Sequence, residues 1–350
     1  MLPKVTPMAR RPTIIDVARL AGVSKSTVAR VINGNDGAVR EETRLRVLAA
    51  ADQLGYERNA VAGSLRTDQT FIVALSIPDI TNPFWPAVAR GVQDTIEASG
   101  YTTVTFNSDW KVDREQHFLT TVRRSRFDGL VINPTSATNA ELVGLGIPVV
   151  ILGGGDSYPD FDSVGSDTER GAQEALAYLH GLGHVRIGLI AGRSARSKTF
   201  VRYQSYVAFH ARKGIPLDEA LVVDCDFSDQ AGFEAMKRLL SLPEPPSAVF
   251  AANDILAIGA LKAAQAMQRR VPEDVSIVGM DDIYAAATTS PALTTVAKRK
   301  YETGATAAQF LVSRMCGEAP ETPRRVKLPC RLVVRESTGV VRQVRDHVAE

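Results

Sequence analysis

Few cysteines and no long apolar segment occur in this chain of 350 residues, and both absences exclude classes of protein. The three cysteines, Cys225, Cys316 and Cys330, are too few and too far apart for a disulfide framework, a zinc site or an iron–sulfur cluster. No segment reaches the roughly 18 apolar residues of a membrane span, and the basic residues 1–11 precede no apolar stretch like that of an export signal. We therefore expect a cytoplasmic protein with no metal site and no contact with a membrane.

Motifs of nucleotide-dependent and hydrolytic enzymes are also missing. No Gly-x-Gly-x-x-Gly turn follows the first strand-like segment, no Walker loop occurs, and the five histidines have no evident nucleophile or metal-ligating partner. An enzyme on a Rossmann-like sheet is therefore the weaker alternative, and we expect neither catalytic residues nor a cofactor. The length suits a small module joined to a larger domain of two lobes.

Charge is distributed unevenly along the chain. Residues 1–66 contain 11 lysines and arginines against 6 acidic residues, so 30 of the 41 basic residues and 33 of the 39 acidic residues belong to the remainder. A basic head on a mildly acidic body indicates that the head alone meets a polyanion. An uneven surface without a binding role is the alternative.

Three short helices are predicted in the head. Thr13 and Asp16 form a capping-box pattern that begins a first helix, which ends at Gly22. Ser24 can cap a second helix that stops at Asn33, and the third is predicted over residues 41–54. The expected inward-facing side chains are Ile14, Val17, Ala18 and Leu20, then Val28, Val31 and Ile32, then Leu45, Leu48, Ala49 and Leu54.

The outer face of the second helix is short, polar and basic. Lys25, Ser26, Ala29 and Arg30 share this face because residues three and four apart are neighbours on a helix. Small residues allow close approach in a DNA major groove, and Lys and Arg can donate to guanine edges and phosphates. A plain surface helix with two cations is the alternative. The weakly helical residues 59–66 are expected to be disordered until something holds them.

From residue 71 onward, β segments alternate with helical segments, which predicts parallel α/β sheets. The predicted strands are residues 71–77, 101–106, 129–133, 148–152, 185–190, 221–223, 248–251 and 275–279. Ligands of such sheets bind at the carboxyl ends of the strands. The loops at those ends are rich in amides, carboxylates and aromatic rings, which suit a sugar or polyol. Helix capping is the alternative for Asn253 and Asp254.

Three segments resemble the helix-turn-helix head of the LacI family: IIDVARLAGVS at 14–24, TVARVING at 27–34 and LGY at 54–56. The resemblance continues to about Gly339. It implies an α/β fold with a three-helix head and a two-lobed, periplasmic-binding-protein-like body of doubly wound parallel sheets. The implied domains are a DNA-binding domain at 1–57, a hinge at 58–69, an effector-binding and dimerisation domain at 70–340, and a tail at 341–350.

The resemblance also implies roles for individual residues. By this resemblance, Lys25, Ser26 and Arg30 would contact base edges. The phosphate backbone would be contacted by Thr27, Asn33 and Asn59, and the minor groove by Ala62 and Leu65. Effector-contact positions would be Asn82, Phe84, Trp85, Asn133, Arg202, Phe227, Asn253 and Asp281.

The function implied by the resemblance is repression of transcription. Two heads related by a two-fold axis imply a roughly palindromic operator, and residues 336–350 contain no leucine, which favours a homodimer over a tetramer. Release from the operator by a sugar, polyol or sugar acid is the expected response. A regulator that needs a corepressor is the alternative.

Overall fold

A computed structural model describes residues 12–34, 36–37, 39–57, 69–192 and 201–341. The chain divides into two compact units, which meet in sequence between Thr70 and Phe71. We call the first unit the head and the second the body.

The head contains the three predicted helices, α1 (Ile14–Ala21), α2 (Lys25–Ile32) and α3 (Glu41–Leu54). The capping box is confirmed: the Thr13 hydroxyl accepts from the backbone N–H of Asp16, and the Asp16 carboxylate accepts from that of Thr13. Gly22 and Gly55 end α1 and α3 with φ of +65° and +61°, a left-handed conformation that glycine adopts without steric cost.

The core of the head is built from small side chains. Its buried residues are Val17, Ala18, Ala21, Val28, Val31, Val47, Ala50 and Ala51. Of the inward face expected for α3, Leu54 packs against this core. The prediction was wrong for the other three residues, because Leu45 and Leu48 are 56% and 38% exposed and Ala49 is also exposed. Leu20 of α1 is also exposed. The alanines allow short helices to pack closely, which bulkier leucines at the same positions would prevent.

The body consists of two lobes, each with its own six-stranded sheet. The N-lobe sheet has the order β11-β5-β4-β3-β1-β2, and its strands are β1 (Ile72–Ile77), β2 (Thr102–Asn107), β3 (Gly129–Ile132), β4 (Val149–Leu152), β5 (Asp162–Ser166) and β11 (Arg325–Leu328). The C-lobe sheet has the order β12-β10-β9-β8-β6-β7, and its strands are β6 (Ile187–Ile190), β7 (Val222–Val223), β8 (Ala248–Ala251), β9 (Ser276–Asp281), β10 (Thr294–Ala297) and β12 (Arg331–Val333). Strands pair in parallel except for β12 with β10.

Helices cover both faces of each sheet, as expected for doubly wound sheets. Those of the N-lobe are α4 (Phe84–Ala98), α5 (Val112–Arg124), α6 (Asn139–Val143) and α11 (Lys300–Met315). Those of the C-lobe are α7 (Thr168–Gly181), α8 (Val201–Lys213), α9 (Asp229–Leu240) and α10 (Asp254–Ala266). Within the described ranges, no helix has the length and hydropathy required to cross a membrane.

Close helix pairs depend on glycine. A Cβ atom added to Gly304 of α11 would overlap the carbonyl oxygen of Val88 on α4, and one added to Gly91 would overlap that of Tyr301. The backbones of α4 and α11 therefore touch, and no side chain fits between them at this crossing.

The chain crosses between the lobes three times. It leaves the N-lobe after β5 to form α7, returns after β10 to form α11, and leaves again between β11 and β12. Each lobe is consequently assembled from separated segments of sequence, and the carboxyl ends of β1–β4 and β6–β10 border the cleft between the lobes.

The eight strands predicted from the sequence are all present, with ends shifted by no more than two residues. The sequence analysis missed β5, β10, β11 and β12, which are three to five residues long.

Candidate DNA-binding face and effector cleft

One face of α2 presents polar and basic side chains to solvent. Ser24 begins this helix by accepting a hydrogen bond from the backbone N–H of Thr27 at 3.1 Å. Lys25, Ser26 and Arg30 are exposed, while Val28 and Val31 on the opposite face are buried. This arrangement agrees with the face predicted from helical spacing.

Ion pairing distinguishes the basic residues of the head. Arg44 is held by Asp36 at 2.7 Å and by Glu41 at 3.1 Å. Among the residues that the structure describes, Lys25 and Arg30 enter no ion pair. These two cations can therefore meet an external anion without breaking an internal contact.

The remaining sequence-predicted DNA contacts divide into two groups. Thr27 lies in the first turn of α2, and Asn33 lies at its carboxyl end with φ of −91°. Asn59, Ala62 and Leu65 fall outside the described residues.

Aromatic rings from both lobes meet across the cleft. Trp110, which follows β2 in the N-lobe, stacks on Phe227, which follows β7 in the C-lobe, with ring centroids 5.6 Å apart and planes at 29°. The ring of Phe84 in the N-lobe lies 5.2 Å from the ammonium group of Lys298, which follows β10. These contacts show that the strand ends of the two lobes face each other.

Side-chain amides fix the loops at the carboxyl ends of β1 and β3, on the N-lobe side of the cleft, by hydrogen bonds to the backbone. The Asn82 side-chain oxygen accepts from the N–H of Phe84 at 3.0 Å, and Phe84 packs edge-on against Trp85 with centroids 5.0 Å apart. The Asn133 amide donates to the carbonyl oxygen of Leu152 at 2.6 Å. Each amide therefore orients a loop as well as lining the wall.

The loop after β2 carries further polar groups. The Asp109 carboxylate contacts both the Asn107 amide and the Arg114 guanidinium. The Trp110 indole N–H is buried and has no hydrogen-bond partner. A cavity of about 420 Å³ lies at the carboxyl ends of β1 and β2, and its lining includes Ser76, Asn107, Asp113, Arg114 and His117.

Asn253 and Asp254 form the carboxyl-end loop of β8. The Asn253 side-chain oxygen accepts from the N–H of Leu256 at 2.9 Å, so this residue caps α10, as the alternative interpretation of the sequence proposed. Asp254 is fully buried and accepts from the Thr295 hydroxyl at 2.5 Å and from the N–H of Ile283 at 2.9 Å. Burial, followed by the nearby Asp281 carboxylate, raises the pKa of Asp254 to about 7.

A buried charge cluster occupies the C-lobe side of the cleft. The Lys298 ammonium lies 3.0 Å from the Asp281 carboxylate, and the two side chains are 6% and 5% exposed. Arg202 of α8 lies beside Asp281 and directs its Nε to the sulfur of Met280 at 3.3 Å. Burial lowers the pKa of Lys298 and of Arg202, although the Asp281 carboxylate opposes this effect for both.

Strand register explains why these charges meet. Ala297 of β10 pairs with Asp281 of β9, so the side chain after Ala297 lies next to the end of β9. Asp281 itself has φ of +121°, a conformation rarely adopted by residues with a Cβ atom. The neighbouring Lys300 donates to the carbonyl oxygens of Asp281 and Asp282, both at 2.7 Å.

The structure thus brings together Phe84, Arg202 and Asp281 from the predicted effector set, with Lys298 as a residue that the sequence analysis missed. Phe227 meets Trp110, also absent from that set although its loop was recognised as a strand end. Within the described residues, no group of three or more His, Cys, Asp or Glu side chains is arranged to hold a metal ion.

Comparison with known proteins places the chain among transcription regulators. Residues 13–59 match the profile of bacterial regulatory proteins, lacI family, and residues 176–338 match a periplasmic binding protein-like domain. The chain is 34% identical over 330 residues to catabolite control protein A of Priestia megaterium, and the alignment covers 93% of this chain and 99% of that protein.

Two solved structures extend the comparison. The lac repressor dimer bound to operator and the anti-inducer ONPF aligns with a TM-score of 0.83 at 27% identity, covering 94% of this chain and 100% of that chain. The complex of the transcriptional regulator CelR with cellobiose aligns with a TM-score of 0.69 at 32% identity, covering 93% of this chain and 100% of that chain. None of these proteins is named as an enzyme. Because a 34% identical relative spans nearly all of the chain and the head matches the family profile, the chain belongs to the LacI family and is a DNA-binding transcriptional repressor.

Proposed function

We propose that this repressor binds a roughly palindromic operator as a homodimer and is released when a carbohydrate-like effector enters the cleft between the lobes. The observation that carries the effector proposal is the convergence of aromatic rings and buried charges on one cleft. Phe84 and Trp85 lie on one wall, and Asp281 and Arg202 on the other.

The chemistry of this cleft suits a polyhydroxylated ligand. Aromatic rings can cover the apolar C–H face of a sugar, while carboxylate and guanidinium groups accept from and donate to its hydroxyls. The solved CelR complex contains cellobiose, which supports a carbohydrate as the ligand class.

Control of DNA binding would follow from movement of the lobes. An effector shifts the equilibrium between two lobe arrangements only by its difference in affinity for them. The three crossovers permit hinge motion, and the stacked pair of Trp110 and Phe227 is a contact that such motion would make or break.

On the DNA side, Arg30 is the residue whose role can be tested most directly. An operator selected from random DNA with the full-length chain supplies the cognate sequence. Arg30→Ala should then weaken operator binding by about 1–3 kcal/mol and relax base preference at one position in each half-site. Arg19→Ala is the matched control, because Arg19 is exposed on α1 and lies outside the α2 face.

The same complex tests the remaining parts of the proposal. Sedimentation should give two chains per operator, and a carbohydrate that binds the cleft should reduce operator affinity. An equal loss of affinity on cognate and random DNA for Arg30→Ala would contradict base contact by this residue. A ligand that tightens operator binding would replace induction with corepression.

A further inference from the structure

The cavity at the carboxyl ends of β1 and β2 lies on the face of the N-lobe sheet opposite to Phe84 and Trp85. Successive side chains of a strand point to opposite faces of its sheet, and Leu75 of β1 packs in the cluster that includes these two aromatic rings. Ser76 therefore points to the other face, where Phe118 of α5 is buried. Among the described residues, the lining includes none of the predicted effector contacts.

The buried part of the cavity lining combines aromatic rings with hydroxyl groups. The rings of Phe106 and Phe118 pack with centroids 4.4 Å apart. The Ser108 hydroxyl pairs with that of Thr135 at 3.1 Å. Ser76 is 1% exposed, and within the described ranges its hydroxyl forms no hydrogen bond. A hydroxyl without a partner in such a place is costly, so a ligand in the cavity that pairs with Ser76 gains free energy.

The exposed part of the lining carries charges of both signs. Asp113, Arg114 and His117 share one face of α5, because residues three and four apart are neighbours on a helix. In the part of the chain that the structure describes, Asp113 enters no ion pair and the His117 ring forms no hydrogen bond. Arg114 contacts Asp109, but a guanidinium group has five N–H donors and can bind a second acceptor.

This lining suits a small zwitterion with a partly apolar body. An ammonium group can bind Asp113, and a carboxylate can bind Arg114 or His117. The rest of the molecule can then lie on the two phenylalanine rings, with a polar end toward Ser76. The cavity volume of about 420 Å³ falls in the range of roughly 300–1,000 Å³ that is typical of small-molecule sites. A phosphorylated ligand suits the cavity less well, because the Asp113 carboxylate would repel it.

We propose that this cavity is a second ligand site of the repressor and that it binds a free amino acid. The site is independent of the proposed carbohydrate effector, since other residues form it. Its lining includes Asn107 and Ser108, which precede Trp110 in the loop after β2. An amino acid bound there therefore contacts the loop whose tryptophan stacks on Phe227 across the cleft.

Matched sets of three ligands test the inference on the unmodified full-length protein. Each set contains an amino acid, the amine that lacks its carboxylate and the acid that lacks its ammonium group. The sets are serine, ethanolamine and hydracrylate; leucine, isoamylamine and isocaproate; and tyrosine, tyramine and phloretate. Calorimetric titration should show that, in at least one set, the amino acid binds about 10-fold or more tightly than both of its partners, as expected when a charged hydrogen bond is lost in each.

Three variants then assign the binding to this cavity. Asp113→Asn should weaken binding of the preferred amino acid by about 10- to 100-fold, and binding of the acid that lacks the ammonium group by less than about 3-fold. Ser76→Ala, which removes the unpaired hydroxyl, should weaken binding of the amino acid by about 2- to 10-fold. Asp52→Asn is the control, since it removes an exposed carboxylate of the head and should change neither affinity.

Each contrary outcome has a distinct meaning. No binding by any of the amino acids would overturn the second site. An amine or acid that binds as tightly as its amino acid in every set would overturn the zwitterion as the ligand class. Unchanged amino acid affinity in Asp113→Asn and Ser76→Ala, with circular dichroism spectra like that of the wild type, would place the binding elsewhere. Operator release by a carbohydrate is measured separately, so failure of this inference leaves the proposed function standing.

Discussion

Removing the carboxylate of Asp281 should destabilise the body, because this group is the shared counter-charge of two cations. Asp281→Ala would leave Lys298, whose side chain is 6% exposed, and the neighbouring Arg202 without their common partner. Breaking a buried ion pair by deleting one member costs about 3–5 kcal/mol. For a domain of this size, about 2 °C of melting temperature corresponds to 1 kcal/mol, so the expected decrease is on the order of 6–10 °C.

A double-mutant cycle separates the charge effect from lost packing. Lys298→Met removes the cation while keeping a side chain of similar length, so the double variant Asp281→Ala/Lys298→Met no longer buries an unpaired ammonium. We expect the double variant to be more stable than the sum of the two single changes predicts, by at least about 1 kcal/mol.

Thermal unfolding of the full-length chain, followed by far-ultraviolet circular dichroism, measures all four proteins. Tryptophan fluorescence reports on the body specifically, since Trp85 and Trp110 both lie there. A decrease below 2 °C for Asp281→Ala, or strict additivity in the cycle, would refute the shared counter-charge. Because Asp281→Asn retains the shape of the side chain, it is the better variant for testing ligand binding.

Two further predictions concern packing and pH. Gly304→Ala should lower the stability of the body by about 1–3 kcal/mol, because the added methyl group would overlap the backbone of Val88. Gly181→Ala is the control and should not lower the stability, because the added methyl group meets open space. Melting temperatures of the two variants check this prediction, and equal values would contradict the close crossing of α4 and α11. Because the pKa of Asp254 is raised to about 7 in the folded state, the folded protein keeps a proton that the unfolded chain releases near pH 4. The contribution of this proton to the free energy of unfolding is complete below pH 4 and is lost as pH rises through 7. Between pH 4 and 7 the wild-type stability should therefore fall relative to that of Asp254→Asn by about 1.4 kcal/mol per pH unit, and the difference should level off above pH 7; parallel pH profiles would contradict the assignment.

Local signals made the head predictable from the sequence. Thr13 and Asp16 cap α1 through contacts only three residues apart, and Gly22 and Gly55 end their helices within the same turn. Strand positions followed from apolar runs for the same reason. Short strands such as β11, where exposed and half-buried residues alternate over only four positions, lack a pattern long enough to recognise.

The inward face of α3 was not predictable from spacing alone. The expected set that includes Leu45 and Leu48 and the observed set of Val47, Ala50 and Ala51 both fit helical spacing. The larger leucine side chains made the incorrect set the expected buried face, whereas the close approach of α1 to α3 requires the smaller valine and alanine side chains.

Lys298 escaped sequence analysis because its partner is distant along the chain. Its contact with Asp281 depends on the pairing of β10 with β9, and β10 was not predicted. The cap formed by Asn253 is local and was recognised as a possibility, whereas the burial of Asp254 depends on Thr295 from another strand. Charge clusters assembled from strand ends thus require the sheet order before they can be identified.

The three crossovers determine which parts of this repressor can be exchanged as genetic cassettes. The head occupies one uninterrupted stretch, so a recombination point between Thr70 and Phe71 moves all of it without cutting an element of either compact unit. Neither lobe has this property, because the N-lobe takes α11 and β11 from beyond the C-lobe strands and the C-lobe takes β12 from beyond them in turn. A chimera with a single junction within the body would therefore have sheets built from strands of both parents. Chimeras that trade operator preference between relatives therefore need one junction, whereas chimeras that trade one lobe need at least three.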